Sequence, residues 1–353
     1  MGSMSGRAGL GLGGFLLGLG VGWLIFRAID VSYNVLAWII ILAGVGVVVS
    51  SLLSRGRPGP PVGGMVGGLM AGLILSLFVT SGFSFIGDIA GGGFSGAYRA
   101  EGAKSFSGAA TSDRMYVEVN NFNGAIRVST WDRPEYGIDL AIRARTQENL
   151  DELKIDFRED MVQGELRLVL GYDIPPLAHS RYAIEVEVHV PEAAVIDLNL
   201  GSSNGEIRVS GVSGEDLRLA TSNGRLVLDG VRAEEIRGET SNGRIEGELE
   251  AGEAVLSTSN GKIEIVLPCT SSGEYDLRTS NGDIAIRVSP SEGVGYDLDL
   301  STSNGGVGID LPDLEYSVDK RTEKQARTEG FDGRAVSITI KAATSNGGID
   351  IET

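Results

Sequence analysis

Thr221-Ser222-Asn223-Gly224-Arg225-Leu226, Thr240-Ser241-Asn242-Gly243-Arg244-Ile245 and Thr258-Ser259-Asn260-Gly261-Lys262-Ile263 are three copies of one phrase. Between Ser202 and Arg287 the Ser-Asn-Gly unit recurs at Asn204-Gly205, Asn223-Gly224, Asn242-Gly243, Asn260-Gly261 and Asn281-Gly282, with spacings of 19, 19, 18 and 21 residues. It returns at Asn304-Gly305 and Asn346-Gly347, and a divergent copy, Asn123-Gly124, stands upstream after Phe122. Self-similarity at this period marks a solenoid or a regular array of short strands.

Counting from each Asn gives the register. Six and four residues before it lie apolar pairs such as Leu217/Leu219, Tyr275/Leu277 and Ile340/Ala342. Three and five after it lie Leu226/Leu228, Ile263/Ile265 and Ile349/Ile351. Only Gly238 and Gly247 leave the apolar or Ala class. Period-2 alternation on both sides of a turn predicts half-buried strands entering and leaving each Asn-Gly. Two residues before the Asn stands a small hydroxyl, Ser202 or a Thr from Thr221 to Thr344, suited to bonding turn backbone.

Two architectures satisfy this pattern. Asn-Gly between alternating strands is a strong signal for a type I′ hairpin, because both residues accept positive φ. A meander of such hairpins, however, must roll up to bury its single apolar face. A solenoid buries the inward residues of each coil's walls against one another, and its constant spacing stacks the Asn side chains into an amide ladder. The expectation is therefore an all-β, single-chain β-solenoid of ~20-residue coils with Asn-Gly turns.

Composition divides the 353 residues. Residues 1–100 carry five Arg and two Asp, leaving 25 basic and 45 acidic residues for the remainder of a chain whose net charge is −17. So acidic a β domain repels polyanions, and no nucleic-acid partner is expected. Cys269 is the single cysteine, which rules out an intrachain disulfide. Three apolar stretches, about 8–26, 35–53 and 62–86, each reach the ~20 residues that span a bilayer as a helix. Arg7 and the Arg55-Gly56-Arg57 connection fall on one side of these spans, which predicts a cytoplasmic N-terminus and an extracytoplasmic β domain in a multi-pass cell-membrane protein. Their glycines suit close helix packing within the chain or self-association between copies. No Asp, Glu, Lys or His lies mid-span to support a transport path.

The expected domain plan is a membrane domain at 1–86, a flexible Gly/Ser linker at 87–112, and a β-solenoid at 113–353. Its 113–195 part is divergent, and 196–353 carries the repeats. The divergent part contains strand signals at 136–143, 153–157, 165–170 and 182–190 and a helical turn near Gln147. It reads either as eroded repeat or as a β cap. Lys320 to Arg327 is a basic island expected in a solvated loop. The strand after Asn346 is expected to be an uncapped edge that recruits partners.

The run Val117-Glu118-Val119-Asn120-Asn121-Phe122-Asn123-Gly124-Ala125-Ile126, the strand Ile184 to Pro191 and the Thr-Ser-Asn-Gly units resemble the putative-adhesin family of β-strand-repeat domains over residues 111–353. That resemblance implies a β-helix attached to a membrane span. The paired spans from Gly14 to Val49 are similar to the transmembrane part of Lia-type envelope-stress proteins.

Chemistry-bearing residues are sparse. His189 shares a strand face with Glu187 and Glu185, a metal-like grouping that a solvent-facing strand also explains. Gly305 to Asp310 echoes a calcium nonapeptide, but Pro312 occupies the large-hydrophobe position. Trp131 could stack a sugar or cover the end of the core. No Walker, zincin or dinucleotide motif occurs. No catalytic, cofactor or metal residues are assigned, and the Asn-Gly pairs are assigned to structure. The sequence thus supports a non-enzymatic surface protein for adhesion or envelope scaffolding, with a surface glycan or protein as ligand and the solenoid end or the membrane helices as self-association sites. The alternatives are an envelope-stress regulator and a polysaccharide-cleaving β-helix enzyme. Display is expected on outward residues such as Arg218, Arg225, Arg244, Lys262 and Asp283.

Overall fold

The computed structural model describes residues 98–289 and 293–353. The three expected transmembrane helices and the start of the expected linker lie outside the described residues. Among the described residues no helix is long and apolar enough to cross a membrane. Residues 98–353 form one compact unit.

Its strands run in chain order as β1 (Ala100–Ala109), β2 (Arg114–Asn120), β3 (Ile126–Trp131), β4 (Glu135–Ala144), β5 (Ile155–Val162), β6 (Glu165–Tyr172) and β7 (Tyr182–Pro191), with the short helix α1 (Gln147–Glu152) after β4. The repeat region supplies β8 (Val195–Ser202), β9 (Ile207–Ser210), β10 (Ser213–Thr221), β11 (Leu226–Thr240), β12 (Ile245–Thr258), β13 (Ile263–Leu267), β14 (Gly273–Asn281) and β15 (Ile284–Val288). Then come β16 (Val294–Asn304), β17 (Val307–Asp310), β18 (Leu314–Lys320), β19 (Glu323–Thr328), β20 (Val336–Asn346) and β21 (Ile349–Glu352).

Each strand entering an Asn-Gly corner pairs in parallel with its counterparts in neighbouring coils, as β10 does with β8 and β11. It does not pair with the strand that leaves the same corner, so the hairpin meander is excluded and the fold is a β-solenoid. One wall runs β6-β2-β8-β10-β11-β12-β14-β20-β16, and the other runs β7-β3-β9-β11-β12-β13-β15-β21-β17. The long strands β11 and β12 contribute to both walls, β11 bending at a register shift between Asp229 and Val231.

The period-2 register sets the core. On the first wall Leu217, Ile236, Ala254, Tyr275, Ile340 and Leu298 stack in register. On the second, Ile126, Ile207, Leu226, Ile245, Ile263 and Ile284 do the same. All belong to one buried cluster, and each large side chain contributes about 1.5–3 kcal/mol by leaving water. Gly238 breaks the column because a Cβ there would meet Leu256 Cδ2 at 2.8 Å, so the larger neighbour fills its space.

The ends depart from the sequence reading. The 113–195 region is both things it could be: β6 and β7 form a further coil outside β2 and β3, while β5, β4 and β1 add antiparallel strands as a cap. Part of the expected flexible linker is strand β1, paired with β4 from Ala100↔Ala144 to Ala109↔Glu135. Its small residues serve packing: a Cβ at Gly108 would lie 2.7 Å from the Tyr136 hydroxyl. Helix α1 forms where the helical turn was expected, its N-terminus capped by Thr146 Oγ1, which accepts from Asn149 N–H at 3.2 Å.

At the other end, coil order is not chain order. β20 lies between β14 and β16, and β21 between β15 and β17. The strand after Asn346, expected as an edge, is therefore an interior strand. The basic island is no loop: β18 and β19 form an antiparallel hairpin on β16. Lys320 pairs there with Glu323, Lys324 with Asp319, and Arg327 with Asp297 and Asp332.

Candidate functional site at the Asn-Gly corner

The corners superpose the motif residues in one continuous ladder. Asn204 Nδ2 donates to Asn123 Oδ1, and the pattern repeats through Asn223, Asn242, Asn260, Asn281, Asn346 and Asn304 at 2.7 to 2.9 Å. Asn123 Nδ2 ends the series on the carbonyls of His179 and Tyr182 at 3.0 and 3.3 Å. Every amide nitrogen thus points toward the Asn123 end and every amide oxygen toward the Asn304 end.

The glycines are there for space rather than for turn conformation. Of the eight motif glycines only Gly124 has a positive φ, 124°. At Gly205, Gly224 and Gly243 an added Cβ would sit 1.7 Å from the carbonyl oxygen of the motif glycine in the adjacent coil. At Gly261, Gly282, Gly305 and Gly347 the distance is 1.8 to 2.1 Å. That same carbonyl is an acceptor. Thr221, Thr240, Thr258, Thr279, Thr344 and Thr302 donate Oγ1–H to it across the coil boundary at 2.8 to 3.1 Å. Thr221 and Thr240 also accept their own coil's glycine N–H. The Thr221 and Thr240 hydroxyls therefore each satisfy backbone groups of two coils, and the other four satisfy the neighbouring coil's carbonyl.

Outside this corner, ten serines, among them the seven motif serines Ser203, Ser222, Ser241, Ser259, Ser280, Ser345 and Ser303, line a shallow groove of about 960 Å³ that follows the stacking direction. The outward rows of the second wall carry cross-coil ion pairs. Arg225 reaches Glu206 at 2.6 Å and Glu246 at 2.9 Å. Arg208 meets Asp229 at 2.6 Å, and Arg287 meets Glu352 at 2.9 Å. Partial burial raises the Glu206 carboxyl, but hydrogen bonds and charge from Arg225 and Arg208 outweigh it and hold the group below its ordinary value. Of the outward residues expected to display function, Arg218 pairs with Asp216, Arg244 with Glu246 and Lys262 with Glu264. Asp283 Oδ1 accepts the Gly348 N–H at 2.8 Å. These residues are bound into the solenoid surface as well as facing solvent.

The remaining candidates separate. His189 Nδ1 lies 3.0 Å from Ser129 Oγ and its ring stacks on Trp131 at 4.9 Å, while Glu185 bonds Arg143 and Arg127 instead. Trp131 Nε1–H donates to Glu135 O at 2.7 Å, and the Arg133 guanidinium sits 5.0 Å from its ring, so the indole is built into the cap end. His179 stacks on Phe122 at 4.3 Å. Among the described residues no group of three or more His, Cys, Asp or Glu could hold a metal ion. Asp350 lies over Gly308 in the calcium-like stretch, where a Cβ would be 2.5 Å from Asp350 Oδ1. Cys269 is buried with φ 58°, and burial pushes its thiol up to about 11.

Sequence reasoning passed over Glu250. It is 6% exposed and sits opposite the Asn-Gly corner, where it accepts from Thr270 Oγ1 at 2.6 Å, Ser271 N–H at 2.6 Å and Arg232 Nε at 3.3 Å. Burial raises its carboxyl, but these donors together hold it below the usual value. The available signal was Arg232, which pairs with Glu250 in the parallel register.

The family model Toastrack DUF4097 matches residues 177–352. No curated protein matches the chain. Among solved structures, a putative cell adhesion protein from Clostridium sporogenes is 12% identical, with 72% of this chain and 99% of that chain covered at a TM-score of 0.34. A putative adhesin from Bacteroides fragilis is 13% identical, with 71% and 97% covered at 0.34. A putative lipid binding protein from Parabacteroides distasonis is 10% identical, with 71% and 96% covered at 0.35. At these scores their functions do not transfer. The matched segment contains the whole Asn-Gly solenoid from Asn204 onward, and the resemblance read from the repeats stands: residues 177–352 match the Toastrack DUF4097 family.

Proposed function

We propose that this chain is a membrane-anchored display protein, whose residues 1–86 hold the solenoid outside the membrane and whose solenoid acts by binding rather than by catalysis. The observation that carries this reading is the serine-lined groove of about 960 Å³ beside the amide ladder, which repeats the motif serine from coil to coil. Strands spaced about 4.8 Å apart offer an extended ligand the same contacts many times over. An extended surface glycan or a protein strand suits such a repeating hydroxyl surface; a compact small molecule does not.

The experiment has two arms. A tag after Thr353 should be digested by protease added to intact cells. Exclusive protection from that protease would end the display reading. Purified protein should retain an extended surface polysaccharide or protein from cell envelopes, and Ser222→Lys with Ser259→Lys in the groove should abolish retention while leaving the unfolding midpoint near wild type. Retention unchanged by the double variant would remove the groove from the proposal.

A further inference from the structure

The ladder has one end that is chemically unlike the rest. Asn204, Asn223, Asn242, Asn260, Asn281 and Asn346 each donate through Nδ2 to one neighbour and accept through Oδ1 from the next. Asn123 accepts from Asn204 and donates to the His179 and Tyr182 carbonyls. Asn304 donates to Asn346 at 2.9 Å, but its Oδ1 accepts nothing among the described residues. It is also exposed, on the last coil of the stack.

We propose that Asn304 is the labile end of the ladder, a site where the chain deamidates spontaneously to aspartate and isoaspartate while the other seven ladder amides are protected. The reaction needs no enzyme. The Gly305 backbone nitrogen, unhindered by any side chain, loses its proton to solvent base and attacks Asn304 Cγ. The new C–N bond closes a five-membered imide, the Cγ–Nδ2 bond breaks, and Nδ2 leaves as ammonia with a proton taken from water. Water then opens the ring at either carbonyl, giving aspartate or, with the main chain rerouted through Cγ, isoaspartate. One water is consumed, one ammonia is released, and nothing is oxidised or reduced.

All eight Asn are followed by Gly, so local sequence does not distinguish them. The ladder does. Turning Cγ toward the following nitrogen breaks two rung hydrogen bonds at an inner Asn and one at Asn304. A one-bond difference corresponds to about tenfold in rate, equivalent to about 1.4 kcal/mol, near the upper end for one amide hydrogen bond. The product places a carboxylate at the corner of the outermost motif coil. As isoaspartate it also lengthens the main chain between β16 and β17.

The test is peptide mapping by mass spectrometry of the full chain held at mildly alkaline pH and sampled over days. Asn304 should deamidate first, about tenfold faster than any other ladder Asn. In Asn304→Ser the free amide oxygen moves to Asn346, which should rise to the rate that Asn304 shows in the wild type. In urea the eight sites should converge. Equal rates in the folded chain, an inner Asn as the fastest, an unchanged Asn346 in Asn304→Ser, or differences that persist in urea would each overturn the proposal.

Discussion

The coils from Asn204 to Asn281 and the coils at the two ends obey the same register but are assembled differently. In the centre, each coil stacks on the one that precedes it in the chain, and the corner glycines, threonines and asparagines repeat without interruption. At the ends, strands distant in sequence become neighbours: Asn123 bonds Asn204 across 81 residues, and Asn346 bonds Asn281 across 65. Repeat spacing therefore encodes how a coil closes, but not which coil lies next to it.

The comparison breaks most sharply at glycine. Gly243→Ala forces a Cβ to within 1.7 Å of the Gly224 carbonyl oxygen, whereas a Cβ added at Gly306, the residue after the motif glycine in the outermost motif coil, meets nothing within 4 Å. Urea unfolding should show a loss of about 3–5 kcal/mol for Gly243→Ala and less than about 0.5 kcal/mol for Gly306→Ala. Similar losses at both would mean that coil stacking is not what selects glycine.

Hydroxyls give the next contrast. Thr240→Val removes the bridge between the Gly224 carbonyl and the Gly243 N–H, and should cost about 1–3 kcal/mol in the same assay. Ser202, at the equivalent place in the first repeat coil, has a buried Oγ with no hydrogen-bond partner, and there Asn121 Nδ2 bonds the Gly124 carbonyl at 3.1 Å instead. Ser202→Ala should therefore leave stability unchanged or raise it slightly.

Glu250 extends the contrast to the side opposite the ladder. Its folded pKa lies below its ordinary value, so its contribution is fully present above the unfolded value near 4.3 and is lost as pH falls through the depressed folded value. Wild type should exceed Glu250→Gln by about 2 kcal/mol at neutral pH, with the gap closing in acid below about pH 4. A gap that stays constant down to pH 2 would show that the carboxylate charge is not involved. A smaller loss than at Glu250 is expected at Arg225→Ala, about 0.5–1 kcal/mol and weaker in high salt, since the guanidinium that makes both ion pairs is solvent-exposed.

Legibility in the sequence followed the same division. The apolar pairs around each Asn placed every inward column correctly because period-2 alternation and a constant period are local properties. The hydroxyl before the motif was likewise readable as a backbone partner. The reason for the glycines was not, since Asn-Gly suits a type I′ hairpin equally well and only the approach of a neighbouring coil's carbonyl decides between them. Strand β1 resembled a tether because its glycines serve distant partners: Gly108 makes room for Tyr136, 28 residues beyond it, and Gly102 for Leu150. The interior position of β21 depends on pairings 65 and 42 residues apart, which no repeat spacing specifies.

That interior position governs how the chain can be built and how it can grow. During synthesis β14 and β16 emerge well before β20, the strand that must lie between them. Until β20 arrives, β14 and β16 each lack the partner of one edge, a place where a second nascent chain could pair wrongly. Strand by strand docking in chain order cannot produce this stack, because β20 and β21 lie between strands that precede them in the chain. For the same reason a repeat appended after Thr353 would find no free edge at β21 to continue from, whereas a unit duplicated between Asn204 and Asn281 would add one more coil without disturbing either closure.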